Sequence, residues 1–241
     1  MKYFTKEWYE LCQKTYAHLI LEEDEQAESF SEEYFQKLYL EKLNEFLDSW
    51  RDVYKIEQEP FYKEKFSKQF EDRFIYRQEH LKKILPEKIL KKIADIRVFV
   101  LDRASRQVIN DVTGFCNDNE KLVDKTIKAY NKYYSEASKS FNKDMVENIN
   151  FHDCLITDIK QTDEYLSILF DNSGGFTDVY EIRLENYNII KQDASLENSW
   201  WLYDEVYKVD DKYEIHALLE NKNIGLIEFT ASTENISFKH N

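Results

Sequence analysis

Glu205 and His216 set a carboxylate against an imidazole across a predicted β-hairpin near the end of this sequence. Apolar and polar residues alternate on either side of Val209-Asp210-Asp211-Lys212, the pattern of two strands and a turn. With Asp210-Asp211 as a two-residue turn, opposed residues have numbers that sum to 421. Leu202 then meets Leu219, Val206 meets Ile215 and Asp204 meets Ala217 on a mainly aliphatic face. The other face pairs Trp201 with Glu220, Tyr203 with Leu218, Glu205 with His216 and Tyr207 with Glu214. A carboxylate beside an imidazole raises its pKa and fixes its tautomer, as a hydrolase-like acid–base pair requires. The same pair can serve as a cross-strand contact stabilising by roughly 0.2–1 kcal/mol. No nucleophile lies nearby in sequence. The favoured expectation is therefore a binding face of Trp201, Tyr203, Glu205, Tyr207, Glu214 and His216, with Glu205 and His216 as the catalytic alternative.

Other chemistry-bearing residues are less persuasive. In His152-Asp153-Cys154, read as part of a strand from Phe151 to Ile159, His152 and Cys154 share a face while Asp153 points away. No second Cys or His follows at a ligand spacing, so a zinc site would have to gather His152, Cys154 and His216, and no metal is expected. Gly174-Gly175 closes the loop Asp171-Asn172-Ser173-Gly174-Gly175 between two strands. Neither a Lys nor a helix start follows, so the pair reads as turn chemistry and no cofactor is implied. Lys63, Lys65, Lys68, Arg73, Arg77, Lys82 and Lys83 interleave with aromatics as in nucleic-acid binders, but Glu64, Glu71, Asp72 and Glu79 dilute them.

The whole chain narrows the field. Its 241 residues are 42% hydrophobic and 15% aromatic, enough for a real core, and the net charge is −14. Residues 151–241 hold 7 Lys/Arg against 18 Asp/Glu. That balance opposes nucleic acid and anionic membranes and suits a basic protein partner. No apolar run approaches the ~18 residues of a membrane span. The start lacks an apolar signal segment, and three dispersed cysteines, Cys12, Cys116 and Cys154, fit reduced thiols, so a cytoplasmic location is expected. The basic stretch 61–110, with 13 Lys/Arg against 7 Asp/Glu, could dock the acidic tail or a second copy of the chain.

Apolar spacing positions these residues on an α+β fold: a helical domain over 1–148, then an acidic antiparallel sheet or small open barrel over 149–241. About six helices are expected. Thr5 caps the first, whose face is Trp8, Leu11, Cys12, Thr15 and Leu19; Ser31 caps the second, with Phe30 and Phe35 as a hydrophobic staple. Pro60 suits the first turn of a third and Pro86 of a fourth, and Ile96–Leu101 favours helix. Ser105 caps a short helix ending near Gly114, and the last runs from Glu120. After Asn150 the period becomes two, with strands over residues 165–170, 176–184, 200–208, 213–219, 226–231 and 235–239.

Three segments carry a resemblance: Met1-Lys2-Tyr3-Phe4-Thr5-Lys6-Glu7-Trp8-Tyr9, Phe35-Gln36-Lys37-Leu38-Tyr39 and Trp201-Leu202-Tyr203-Asp204-Glu205. Together they resemble an uncharacterised family of cytosolic proteins from Gram-positive bacteria, a domain of unknown function similar in length to this chain. The resemblance implies a compartment and a class, and brings no functional residues. The function expected is a non-enzymatic protein-interaction module, in one concrete form an immunity-type protein that neutralises a basic toxin. A hydrolase-like enzyme and a small-ligand-binding β domain are the alternatives.

Overall fold

The computed structural model describes residues 1–18 and 20–241. Leu19, which the apolar pattern places on the first helix, lies outside the described residues. Seven α-helices come first among them: α1 (Lys6–Cys12), α2 (Glu32–Glu57), α3 (Lys63–Ile84), α4 (Glu87–Leu90), α5 (Ile96–Val100), α6 (Arg106–Ala137) and α7 (Lys143–Asn148). A two-stranded parallel ribbon, β1 (Glu22–Glu23) and β2 (Arg103–Ala104), lies among them. An antiparallel sheet follows: β3 (Leu155–Gln161), β4 (Tyr165–Asp171), β5 (Val179–Glu185), β6 (Asn188–Gln192), β7 (Ser199–Val209), β8 (Lys212–Asn221), β9 (Gly225–Thr233) and β10 (Asn235–His240). The class is α+β. The compact units are not simply the helical and β segments. Residues 1–10 pack with residues 122–241 as one unit, and Leu11–Lys121 form the other.

In the Leu11–Lys121 unit, the Oγ of Ser31 accepts the Tyr34 N–H at 3.2 Å and starts α2. Gln58 ends it in the left-handed region, at φ 58°. Rings then zip α2 to α3: Trp50 stacks on Phe66 at 5.0 Å, and Tyr39 meets Phe70 and Phe74 at 5.3 Å each. The expected start of α3 at Pro60 is corrected to Lys63, with Tyr62 at the cap and Pro60 in the connecting loop. Phe30 is largely exposed and lies under the Arg97 guanidinium, 5.3 Å from its ring centre. Leu81, Leu85, Ile89, Phe99, Val108 and Val112 form this unit's centre. Ser105 does cap a helix, accepting the Val108 N–H at 3.3 Å, but α6 runs on through Gly114 for 32 residues. A helical glycine costs about 1 kcal/mol relative to Ala, which a buried stripe on both sides of it, Val108, Val112 and Cys116, outweighs.

In the other unit the sheet order is β10-β5-β4-β3-β7-β8-β9-β6. Its two ends meet. β5 runs into β6 and β9 into β10, and partners on both sides of the bend have numbers summing to 420, as in Asn188↔Ser232 and Asn235↔Glu185. The sheet therefore curls into a barrel, which pairs strands that would otherwise be edges. It stays open along one seam, because β3 and β7 pair only at Leu155↔Trp200. Beyond that point tyrosines of α6 satisfy the β7 backbone. The Tyr130 hydroxyl accepts the Val206 N–H at 3.1 Å, and the Tyr133 hydroxyl donates to the Val206 carbonyl at 3.3 Å. Phe151, Ile156, Ile168, Ile182, Leu184, Trp201, Val206, Leu219 and Phe229 fill the interior. β6 had no counterpart among the expected strands.

Candidate functional site

The turn at Asp210-Asp211 forms as expected, with Asp210 at φ 54°. From it the predicted register holds through Tyr203: Glu205 opposes His216, Tyr207 opposes Glu214 and Tyr203 opposes Leu218. Between Trp201 and Tyr203 the register slips by one residue. The predicted pairs Trp201–Glu220 and Leu202–Leu219 are replaced by Trp200↔Glu220 and Trp201↔Leu219. Leu202 is the extra residue of a β-bulge, and one residue of slip moves a side chain to the opposite face. Trp201 is thereby turned into the barrel, 1% exposed, with its ring 5.3 Å from Phe151. Its indole N–H donates to Asp204 Oδ1 at 3.1 Å. Trp200 takes the outward position and is 42% exposed.

Two more residues of the predicted face, Tyr203 and Glu205, are covered by the chain's own first residues. Glu205 is 0% exposed. Its Oε1 accepts the backbone N–H of Tyr3 at 2.7 Å and of Phe4 at 2.6 Å, and its Oε2 accepts that of Lys2 at 2.8 Å. The Tyr207 hydroxyl also donates to Oε2. Phe4 and Trp8 lie over Tyr203, at 5.5 and 4.8 Å between ring centres. Thr5 fixes the entry to α1, its Oγ1 accepting the Trp8 N–H at 3.2 Å. His216 shares its hydrogen bond with Glu214, at 3.2 Å from Nε2, rather than with Glu205, and its ring meets Tyr207 at 5.0 Å. The predicted binding set is thus divided. Trp201 is core, Glu205 is an internal anchor, and Tyr203, Tyr207, Glu214 and His216 are half-buried.

Electrostatics follow this enclosure. Burial pushes the Asp204 carboxyl up to about 6; the Trp201 indole opposes the shift and the adjacent Glu205 charge adds to it. The Tyr207 hydroxyl is raised by burial and by its bond to Glu205. Burial also pushes the Cys154 thiol up to about 11, with the nearby Asp153 and Asp171 charges assisting, so it is a poor nucleophile at neutral pH.

His152-Asp153-Cys154 is a turn, not the predicted strand. Cys154 N–H bonds back to the Phe151 carbonyl at 2.9 Å, and Asp153 adopts φ 65°. His152 Nδ1 bonds the Leu202 carbonyl, which holds the turn against the bulge. No group of three His, Cys, Asp or Glu suited to a metal occurs among the described residues.

What the bulge and this turn build instead is an exposed surface beside the seam. The loop at residues 171–178 seats its glycines against the turn. A Cβ on Gly174 would lie 2.9 Å from the Asp153 carbonyl oxygen and 3.4 Å from Cζ3 of Trp200; one on Gly175 would lie 2.5 Å from Cys154 Sγ. Glycine is needed there for close approach. The loop packs Gly174 against Trp200 and carries Phe176, which is 79% exposed. Asp171 and Glu220 are exposed and Asp153 is half-buried; Glu220 opposes Trp200 across the strands and Asp153 lies against Gly174. The alternation rule aimed at Trp201; the signal it lacked was the extra residue.

No helix of the described residues is long and apolar enough to cross a membrane. No curated protein matches the sequence. A crystal structure of an uncharacterized protein from Neisseria gonorrhoeae is similar over 37% of this chain and 92% of that one, at 23% identity and a TM-score of 0.27. The family model described as "Protein of unknown function (DUF4085)" matches residues 29–231, and the chain belongs to that family.

Proposed function

We propose that the chain is a non-enzymatic, cytoplasmic protein-interaction module whose barrel unit receives a basic partner on the surface built around Trp200 and Phe176. The observation that carries this reading is the outward Trp200, 42% exposed, seated beside a tight loop that holds up Phe176. Exposed aromatics on rigid supports are the residues that anchor protein interfaces. The carboxylates of Asp171 and Glu220, both exposed, and of Asp153 add negative charge to this part of the acidic unit, which would speed encounter with a basic surface. An immunity-type role, neutralising a basic toxin, is one concrete form. The acid–base alternative is weakened, because Glu205 already accepts four hydrogen bonds within its own unit.

Affinity capture from the cells that make the protein tests the reading. Wild type should retain a basic protein in low salt and release it as salt rises, while Trp200→Ala should lose it with the fold intact. Capture that ignores both salt and Trp200 counts against the proposal.

A further inference from the structure

The Leu11–Lys121 unit carries a second feature, unrelated to the barrel surface. A cleft of about 390 Å³ opens between α2, α3 and the end of α5, within the size range of small-molecule sites. Phe46, Phe70, Phe74 and Leu101 supply an apolar wall, and the charged groups that line it are Arg73 and Arg77. Arg77 is held by Asp102 at 2.6 Å. Arg73 is exposed and lies over the Phe46 ring at 5.6 Å, with no carboxylate in ion-pairing distance among the described residues. In a chain of net charge −14, an apolar cleft whose one unneutralised charged lining group among the described residues is an arginine is a local exception.

We propose that this cleft binds an amphiphilic anion, an apolar body with a single carboxylate or phosphate head. The head would pair with the Arg73 guanidinium, whose planar fork suits both groups. The body would lie against Phe70, Phe74 and Leu101, gaining the usual return for burying apolar surface. A second cleft of about 250 Å³ lies across Tyr76 and Arg77, lined by Ile20, Leu81, Ile84 and Phe99. A longer tail has room to continue there.

The test is titration of the full chain with dodecanoate, dodecyl phosphate, dodecanol and dodecyltrimethylammonium, each below its micelle or solubility limit, by calorimetry and by tryptophan fluorescence compared with that of Trp50→Phe. Trp50 reports because its ring lies 6.3 Å from Phe46. Saturable 1:1 binding of either anion is expected, at least about tenfold tighter than the alcohol, with none for the ammonium. Arg73→Glu, an exposed change, should weaken the anion at least about tenfold and leave the alcohol unaffected. Arg73→Lys should recover part of the loss. Sedimentation with phosphatidylglycerol vesicles separates the sources: co-pelleting that Arg73→Glu abolishes assigns a bilayer headgroup, and its absence assigns a free amphiphile. The proposal is overturned if neither anion saturates, if the ammonium binds as well, or if Arg73→Glu leaves anion affinity unchanged.

Discussion

Trp200 and Trp201 are consecutive and so lie on opposite sides of the sheet, and the bulge at Leu202 decides which faces outward: Trp200 is 42% exposed and Trp201 1%. Their substitutions should separate cleanly. Trp201→Ala empties the barrel interior and should cost about 3–5 kcal/mol in urea denaturation. Trp200→Ala should stay within about 0.5 kcal/mol of wild type. Equal losses would mean that the bulge is misplaced.

The carboxylate of Glu205 replaces the sheet or helix partners that the Lys2, Tyr3 and Phe4 amides lack. Glu205→Ala should destabilise by about 3 kcal/mol or more, since buried donors lose charge-assisted bonds. Glu205→Gln should also destabilise, because its amide nitrogen would face donors. Deleting residues 1–4 and then truncating Glu205 should cost much less than the sum of the separate changes. Additive losses measured by denaturation would argue against the clamp.

Asp204 gives stability a pH dependence of known sign. Its carboxyl is raised from 3.8 to about 6 in the fold, so the native state holds the proton more tightly than the unfolded chain. Stability from this group is full below about pH 4 and is lost as pH rises through 6, about 3 kcal/mol in all. Glu181 and Asp193, whose carboxyls are lowered, act the other way, so the comparison must be between proteins. Relative to wild type, Asp204→Asn should gain stability between pH 4.5 and 7.5. A constant difference over that range would contradict the assignment.

Gly114→Ala and Gly175→Ala should move stability in opposite directions. A Cβ on Gly114 meets nothing within 4 Å, and α6 should gain roughly 0.5–1 kcal/mol. A Cβ on Gly175 would press on Cys154 Sγ and the His152 carbonyl, costing about 1–3 kcal/mol. Adding Cys154→Ala should recover part of that cost. Thermal unfolding of the four proteins checks the pattern.

Much of this architecture was legible because local signals agreed with packing. Thr5, Ser31 and Ser105 all accept the N–H three residues on, as their positions before apolar stripes implied. The Asp210-Asp211 turn fixed the register as far as Tyr203. What failed was non-local. Leu202 looks like any alternating residue, and nothing in β7 itself marks it as extra. Glu205 faces His216 in register, but the three backbone amides that it accepts lie about 200 positions away at the start of the chain. Gly114 resembled a helix end because periodicity cannot show that the stripes on either side are continuous.

On the proposed function, the surface around Trp200 meets a basic protein. A photo-cross-linking phenylalanine analogue at Phe176, compared with one at Ile190, an exposed position on β6, tests it most directly. In living cells one dominant adduct with a basic protein is expected from position 176, absent from position 190 and removed by Trp200→Ala. Equal adducts from both positions, or an adduct that survives Trp200→Ala, would contradict it.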